Sequence, residues 1–235
     1  MADTPLDAVR DAILDAALPD VPFDGWSEAV LKRAAIEAQV DPGHAKLAFP
    51  RGAPDLAAAF HRRGDAEMLA RLDTPDFAAM GMTRKIATAI RTRLEIAAPH
   101  EEAIRRSTAM FALPHHAPEG ARLTWETADR IWNVAGDTAQ DYNWYTKRLT
   151  LSGVFSSTLL FWLGDTSPDK HETWAFLERR LGDVMRFEKF KASMKGNPLA
   201  RLAMAGPNAV LSRVRPPRRG AGPEGLGIGL PGFPR

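Results

Sequence analysis

Residues 27–52 read SEAVLKRAAIEAQVDPGHAKLAFPRG. Ser27 suits a helix N-cap, because its hydroxyl can accept a hydrogen bond from a first-turn N–H. Glu28 and Glu37 bracket Val30, Leu31 and Ala34–Ala35 at helical spacing, which predicts a helix to about Gln39. Asp41-Pro42-Gly43 breaks that helix, and a very short one, His44 to Phe49, follows before Pro50. Helix, turn, short helix and proline together give the outline of a helix-turn-helix.

The rest of the chain extends the same helical reading. Pro5 to about Leu18 is a first helix, with Val9, Ile13 and Ala16–Ala17 on one face; it stops at Pro19, and Pro22 to Trp26 is a turn. Downstream, Asp55–Leu72, Thr83–Ala97, Glu101–Leu113 and Thr124–Ala135 are helix candidates. The clearest is Asn143–Leu163, where Leu151, Phe155, Thr158 and Trp162, with Val154 and Leu159 alongside, build a wide apolar stripe. His171 to about Lys191 repeats the pattern with Trp174, Leu177, Leu181 and Val184, after a Pro168 placed to start a helix. There is no strand-like alternation of convincing length and no internal repeat. The expectation is an all-α bundle of about nine helices.

Composition agrees with this. The chain has 235 residues, 45% hydrophobic, with Ala and Leu dominant, enough for a sizeable core of helices. The net charge is only +2, so any basic surface must be local. The absence of cysteine excludes disulfides, thiolate catalysis and Cys-based zinc or iron–sulfur sites. No run approaches the ~20 apolar residues of a spanning helix. Asp3, Asp7, Asp11 and Asp15 near the N-terminus are the opposite of an Arg-rich transit peptide, and predict a cytoplasmic chain. From Pro216 onward Pro and Gly dominate and a disordered tail is expected; its Gly227-Ile-Gly229-Leu-Pro-Gly232 lacks the strand and helix a dinucleotide site requires.

No enzyme emerges. There is no Gly-x-Ser-x-Gly elbow and no phosphate loop. No Glu-x-x-His pair of a di-iron bundle occurs, His115-His116 lies between prolines as a loop, and neither metal nor cofactor is expected. Glu126, Asp137 and Asp141 read as caps and salt bridges at a helix junction. That junction, GDTAQDYNWYTKR at 136–148, sets Trp144 and Tyr145 between acidic Asp137 and Asp141 and basic Lys147 and Arg148. Aromatics give contact area at low entropic cost and flanking charges set register, so this stretch predicts a docking surface.

Leu47-Ala-Phe49-Pro50-Arg51-Gly52, followed by Asp55-Leu56, resembles the end of the DNA-binding helix in TetR-type repressors. The short helix offers only His44 and Lys46, with acidic Glu37 and Asp41 before it, too little to neutralise phosphates and read bases. No nucleic-acid partner is expected; a ligand-responsive repressor is the alternative reading. Over about Ile13 to Phe190 the chain resembles the coenzyme Q (ubiquinone) biosynthesis accessory family of lipid-binding proteins. The resemblance rests on Leu18–Trp26 (LPDVPFDGW), Ala48–Gly52 (AFPRG), Asp129–Trp132 (DRIW), Gly136–Arg148, Asp165–Pro168 (DTSP) and Trp174–Leu177 (WAFL).

The resemblance implies a TetR-repressor-like bundle with a degenerate N-terminal helix-turn-helix (1–72), a ligand-binding bundle (73–191), an amphipathic membrane-contacting segment (192–215) and a tail (216–235). It implies that the pocket holds an isoprenoid quinone precursor or other lipid. Trp132, Leu151, Phe155, Leu159, Trp162, Trp174, Leu177 and Leu181 are the expected lining, since each buried CH₂ of a tail contributes ~0.8 kcal/mol. It implies docking of the demethoxyubiquinone hydroxylase, or an equivalent, on Asp137, Asp141, Asn143, Trp144, Tyr145 and Arg148. Leu199, Arg201, Leu202, Val210, Leu211 and Arg213 are expected to meet the membrane surface, with Gly206-Pro207 splitting the segment into two short pieces. A homodimer is expected by analogy. The expected location is cytoplasmic and peripheral to the cytoplasmic membrane, or the matrix face of the inner membrane for a processed mitochondrial form.

Overall fold

The computed structural model describes residues 5–138 and 142–195, with side chains for 6–138 and 143–186. The described residues form eleven α-helices, two short 3-10 turns and no strand. Helices α1 (Pro5–Ala17), α2 (Val21–Asp24), α3 (Glu28–Glu37) and α4 (Pro42–Ala48) make the N-terminal part. The long α5 (Ala53–Leu72) is followed by α6 (Pro75–Ala79), α7 (Met82–Ala97), α8 (Glu101–Phe111), α9 (Ala117–Ala135), α10 (Tyr142–Gly164) and α11 (His171–Lys195).

The starts of the front helices follow from their caps. Ser27 accepts the Val30 N–H at 3.3 Å, and Asp41 accepts that of Gly43 at 2.8 Å. Asp41-Pro42-Gly43 therefore ends one helix and begins the next: the proline sits in the first turn of α4, where its missing N–H costs nothing. Glu28 reaches across the turn to accept the Ala53 N–H at 2.8 Å, which ties the start of α3 to the start of α5. The segment read as a turn at Pro22–Trp26 contains the single helical turn α2. Trp26 leaves it for the core and donates its indole N–H to the Ala103 carbonyl at 2.9 Å.

Packing joins the two halves through α5. It lies against α1 and α3 on one side and α7 and α9 on the other, so the expected boundary at residue 72 falls at the end of a helix that serves both parts. Ile13, Val30, Leu56, Ile90, Ile104, Ile131 and Trp162 belong to one continuous buried cluster. Inside it Asp65 accepts from Arg93 Nε at 2.7 Å, from Arg130 at 2.7 Å and from the Thr127 hydroxyl at 2.9 Å. This buried carboxylate fixes α5, α7 and α9 to each other. No helix among the described residues is long and apolar enough to cross a membrane.

Candidate functional site

A cleft of about 260 Å³ opens between α8, α9 and α10, with His61 of α5 in its wall. Phe111, Leu123, Phe155, Leu159 and Leu160 supply most of its surface, and Leu160 is 59% exposed, which places it at the mouth. The polar lining consists of His61, Thr108, Thr124, Thr127 and Ser156; no charged side chain lines it. Thr124 is spent on the Gly120 carbonyl (3.0 Å) and Thr127 on Asp65 and the Leu123 carbonyl (3.1 Å). His61 Nε2 lies 2.9 Å from Ser107 Oγ. Burial, reinforced by the positive charges of Arg93 and Arg62, lowers the His61 pKa to about 3, so the ring is neutral near pH 7.

The second feature is the α9–α10 junction. α9 ends at Gly136 in the left-handed conformation (φ 91°), with Asp137 N–H on the Trp132 carbonyl and Gly136 N–H on that of Asn133. These two bonds make a Schellman closure, which turns the chain sharply. Arg148, 1% exposed, then reaches back from α10. It donates to Asp129 at 2.5 Å, to Asp137 at 3.2 Å, to the Trp144 carbonyl at 3.2 Å and to Asn133 at 3.4 Å. Its guanidinium lies 3.9 Å from the Trp144 ring centroid. Lys147 adds a bond to Asp137 at 2.7 Å, and Trp132 donates its indole N–H to the Lys147 carbonyl at 3.0 Å. Above this network Trp125, Trp144 and Tyr145 form a half-buried ring cluster, with centroids 4.7 to 6.4 Å apart.

Of the lipid-lining residues expected from sequence, Phe155 and Leu159 line the cleft. Leu151, Trp162, Leu177 and Leu181 are buried in the common core, while Trp132 and Trp174 pack against it partly exposed. Trp174 donates to the Asp169 carbonyl at 2.9 Å and stacks on Arg91. Of the docking residues, Trp144, Tyr145 and Asn143 are half-buried, whereas Asp137 and Arg148 lie inside and hold the junction together. Asp141 and the membrane-contacting set Leu199, Arg201, Leu202, Val210, Leu211 and Arg213 lie outside the described residues, as does Gly227–Gly232. Glu126 is paired with Arg62 at 2.9 Å and Arg122 at 3.0 Å. Among the described residues no group of three His, Cys, Asp or Glu is placed to hold a metal ion.

Sequence reasoning missed Trp125, Thr108, Ser156 and His61. Trp125 lies twenty residues before Tyr145 in chain order, and only the fold-back at Gly136 brings the two together. Leu123 was missed because α9 starts at Ala117 and not at Thr124. Pro118 bounds the loop expected around His115-His116, yet it sits in the first turn of α9. Gly120 lies where α9 approaches α8 so closely that a Cβ would come within 2.8 Å of Phe111 Cβ.

At the front, Lys46 donates to the Pro50 carbonyl at 2.8 Å, and Arg51 pairs with Asp55 at 2.6 Å and Glu119 at 3.2 Å. Both cations of the short α4 corner are thus engaged within the chain. Leu47 beside them is 65% exposed.

The architecture matches that of a solved TetR transcriptional regulator from Nitrosomonas europaea. The TM-score is 0.61 at 25% identity, over 75% of this chain and 97% of the regulator. The class is therefore an all-α, TetR-like bundle with an apolar cleft among its later helices. The COQ9 family model matches residues 117–188, the span that holds α9, the α9–α10 junction, α10 and most of α11. Ubiquinone biosynthesis protein COQ9, mitochondrial, of Bos taurus is 31% identical over 184 residues, 75% of this chain and 57% of the relative. The Homo sapiens protein of that name is 30% identical over 75% of this chain and 58% of its own length, and the Drosophila melanogaster one 30% over 81% and 60%. Over the length it shares with these proteins the chain is similar to the COQ9 family. It spans less than two thirds of the length of these curated relatives.

Proposed function

We propose that this protein serves ubiquinone biosynthesis as a non-enzymatic lipid-binding accessory. It takes an isoprenoid quinone precursor into the α8–α9–α10 cleft and presents it to a late-pathway hydroxylase. The observation that carries this is the cleft itself: apolar over most of its lining, free of charged side chains, and open at Leu160 in a chain similar to the COQ9 family. An apolar wall suits a polyprenyl tail, which needs area and no polar partner. The aromatic cluster at Trp125, Trp144 and Tyr145 is the docking face for the hydroxylase. It is presented by the helix pair that also walls the cleft, so bound lipid and bound enzyme would share α9 and α10. Contact with the membrane surface falls to the segment at 197–215, and a homodimer is the arrangement that goes with the fold class.

The test is native extraction with lipid identification by mass spectrometry, run together with liposome flotation of the full chain and of a chain ending at Gly196. A quinone precursor or other isoprenoid near one per chain is expected, with flotation reduced in the truncated form. Empty protein, or only random phospholipid, would sink the lipid reading; equal flotation would sink the membrane one.

A further inference from the structure

Charge is divided unevenly along this chain. Residues 1–188 hold 22 Lys and Arg against 28 Asp and Glu, net −6, whereas residues 189–235 hold nine against one, net +8. From Lys189 to Arg219 there are eight cations and no acid, with Leu199, Leu202, Val210, Leu211 and Val214 among them. A run of one sign is by composition an interaction segment. Most of the opposite charge sits at the front, where residues 1–60 hold ten acids against five cations.

The α3–α4 corner at that front leaves apolar surface uncovered: Ile36 is 77% exposed and Leu47 65%. Glu37 lies in the last turn of α3, where the helix dipole already concentrates negative charge, with no base in that turn and no ion pair among the described residues. Asp41 caps α4 and has His44, at 3.8 Å, as its one ion-pair contact among the described residues. The corner's own cations are turned elsewhere, Lys46 onto the Pro50 carbonyl and Arg51 onto Asp55 and Glu119. Exposed aliphatic residues beside uncompensated acid suit a partner that is cationic and apolar at once.

We propose that the segment holding Arg213, Arg215, Arg218 and Arg219 docks on the α3–α4 corner of its own chain, its arginines on Glu37 and Asp41 and its aliphatic residues on Ile36 and Leu47. The chain is long enough for this. Arg93 of α7 meets Asp65 and His61 of α5, and α11 runs antiparallel to α7, with Arg91 on Trp174 and Thr83 Oγ1 3.8 Å from Met185 Sδ. α11 therefore heads for the end of α5 remote from the corner. The twenty residues of α5 measure ~30 Å, and the ten of α11 after Met185 add ~15 Å. Arg213 lies eighteen residues past Lys195, which extended reach ~60 Å. Tethering favours the corner of the same chain over that of a second copy, because it holds the segment at an effective concentration approaching ~1 mM. Docked there, the arginines and aliphatic residues are withheld from other surfaces. Resting on the reading that this same segment meets the membrane, an anionic lipid surface competes for it and releases it from the corner.

Because the sequence has no cysteine, a donor and an acceptor fluorophore can be placed at Lys32→Cys and Ser212→Cys in the full chain, and energy transfer read at low protein concentration. Transfer is expected to be high at ~0.05 M salt and to fall by about twofold or more at ~0.5 M, where the attraction is screened. Glu37→Arg with Asp41→Asn, which keeps a capping side chain, is expected to lower it by about as much at low salt, and so is Ile36→Ser with Leu47→Ser. All four side chains are exposed, so both variants fold, which their melting temperatures check. Low transfer at low salt, or transfer that neither pair of substitutions changes, overturns the docking. Transfer between singly labelled copies as strong as that within one chain overturns the assignment to the same chain. Vesicles of phosphatidylcholine with phosphatidylglycerol should lower transfer, and vesicles of phosphatidylcholine alone should not. High transfer in protein that floats with the anionic vesicles overturns the release. Protein that does not float with them overturns the membrane reading, while high transfer that salt and the substitutions abolish still upholds the docking.

Discussion

Arg148 shows how a residue can mislead in sequence and explain itself in the fold. Beside Trp144, Tyr145 and two aspartates it reads as a surface charge, yet it is 1% exposed and spans Asp129, Asp137, Asn133 and the Trp144 carbonyl. A fork of donors stacked on a ring is a geometry an ammonium cannot reproduce. Removing the guanidinium takes one cation from Asp137, 2% exposed in its side chain, and leaves it the bond from Lys147 at 2.7 Å. Loss of one partner of a buried pair costs ~3–5 kcal/mol, and the surviving Lys147 bond reduces that to about 2–4 kcal/mol for Arg148→Met. The expected outcome is a lower urea midpoint with a loosened Trp144–Tyr145 pair in near-ultraviolet circular dichroism. Trp144→Ala, in contrast, should leave most of the stability and weaken hydroxylase capture at least tenfold. If Arg148→Met kept full stability and lost capture, Arg148 would be a direct contact and not the strut described here. The aromatic pair was legible because composition alone makes it odd. The inward turn of Arg148 was not, because burial of a charge depends on partners such as Asp129 that only folding brings near.

At the scale of elements the helices were legible wherever period and cap agreed. Ser27 caps α3 as its chemistry predicts, and in α10 Leu151, Phe155, Thr158 and Trp162 are all buried along one stripe. Legibility failed where a residue's usual tendency is suspended by position, as with Pro118 in the first turn of α9, and where a helix is a single turn, as in α2. Within Asp165–Pro168 the sequence assigned only Pro168, as a helix start, beyond the family resemblance, and here Asp165 is a cap. Asp165 accepts from the Ser167 N–H at 2.8 Å, the Thr173 N–H at 2.9 Å and the Thr173 hydroxyl at 2.6 Å. Burial alone would raise its pKa, but the hydrogen bonds from Ser167 and Thr173 prevail and hold the carboxyl well below its ordinary value of 3.8. A depressed carboxyl stabilises the fold above its unfolded value, and that stability is lost as pH falls through the folded one. Asp165→Asn should therefore lower the melting temperature at pH 7, with the gap to the unaltered protein closing below about pH 3.8. Identical melting at pH 7 would show that the cap contributes nothing to docking α11.

Across the whole molecule, acid sensitivity separates into two windows with different owners. Glu126 feels burial first, which raises its pKa, but the hydrogen bond and charge of Arg62, with Arg122 and Arg130, outweigh it and bring the value below 4.5. Like Asp165 it withdraws its stabilisation only on the acid side of the carboxylate range. His61 acts earlier. Desolvation in the cleft wall and the nearby Arg93 and Arg62 set its pKa at about 3, against 6.5 in an unfolded chain. Below pH 6.5 the unfolded chain binds a proton that the folded protein refuses. The stability His61 allows is thus complete above pH 6.5 and falls as pH drops toward 3, by up to about 1.4 kcal/mol per pH unit. Urea midpoints between pH 6.5 and 4.5, above the carboxylate window, isolate this contribution. The midpoint should decline across that interval in the unaltered protein and lose most of that slope in His61→Gln, even though the variant starts from a lower stability. A flat profile in the unaltered protein would mean that His61 takes its proton while folded. The cleft wall would then turn cationic as pH falls below 6.5.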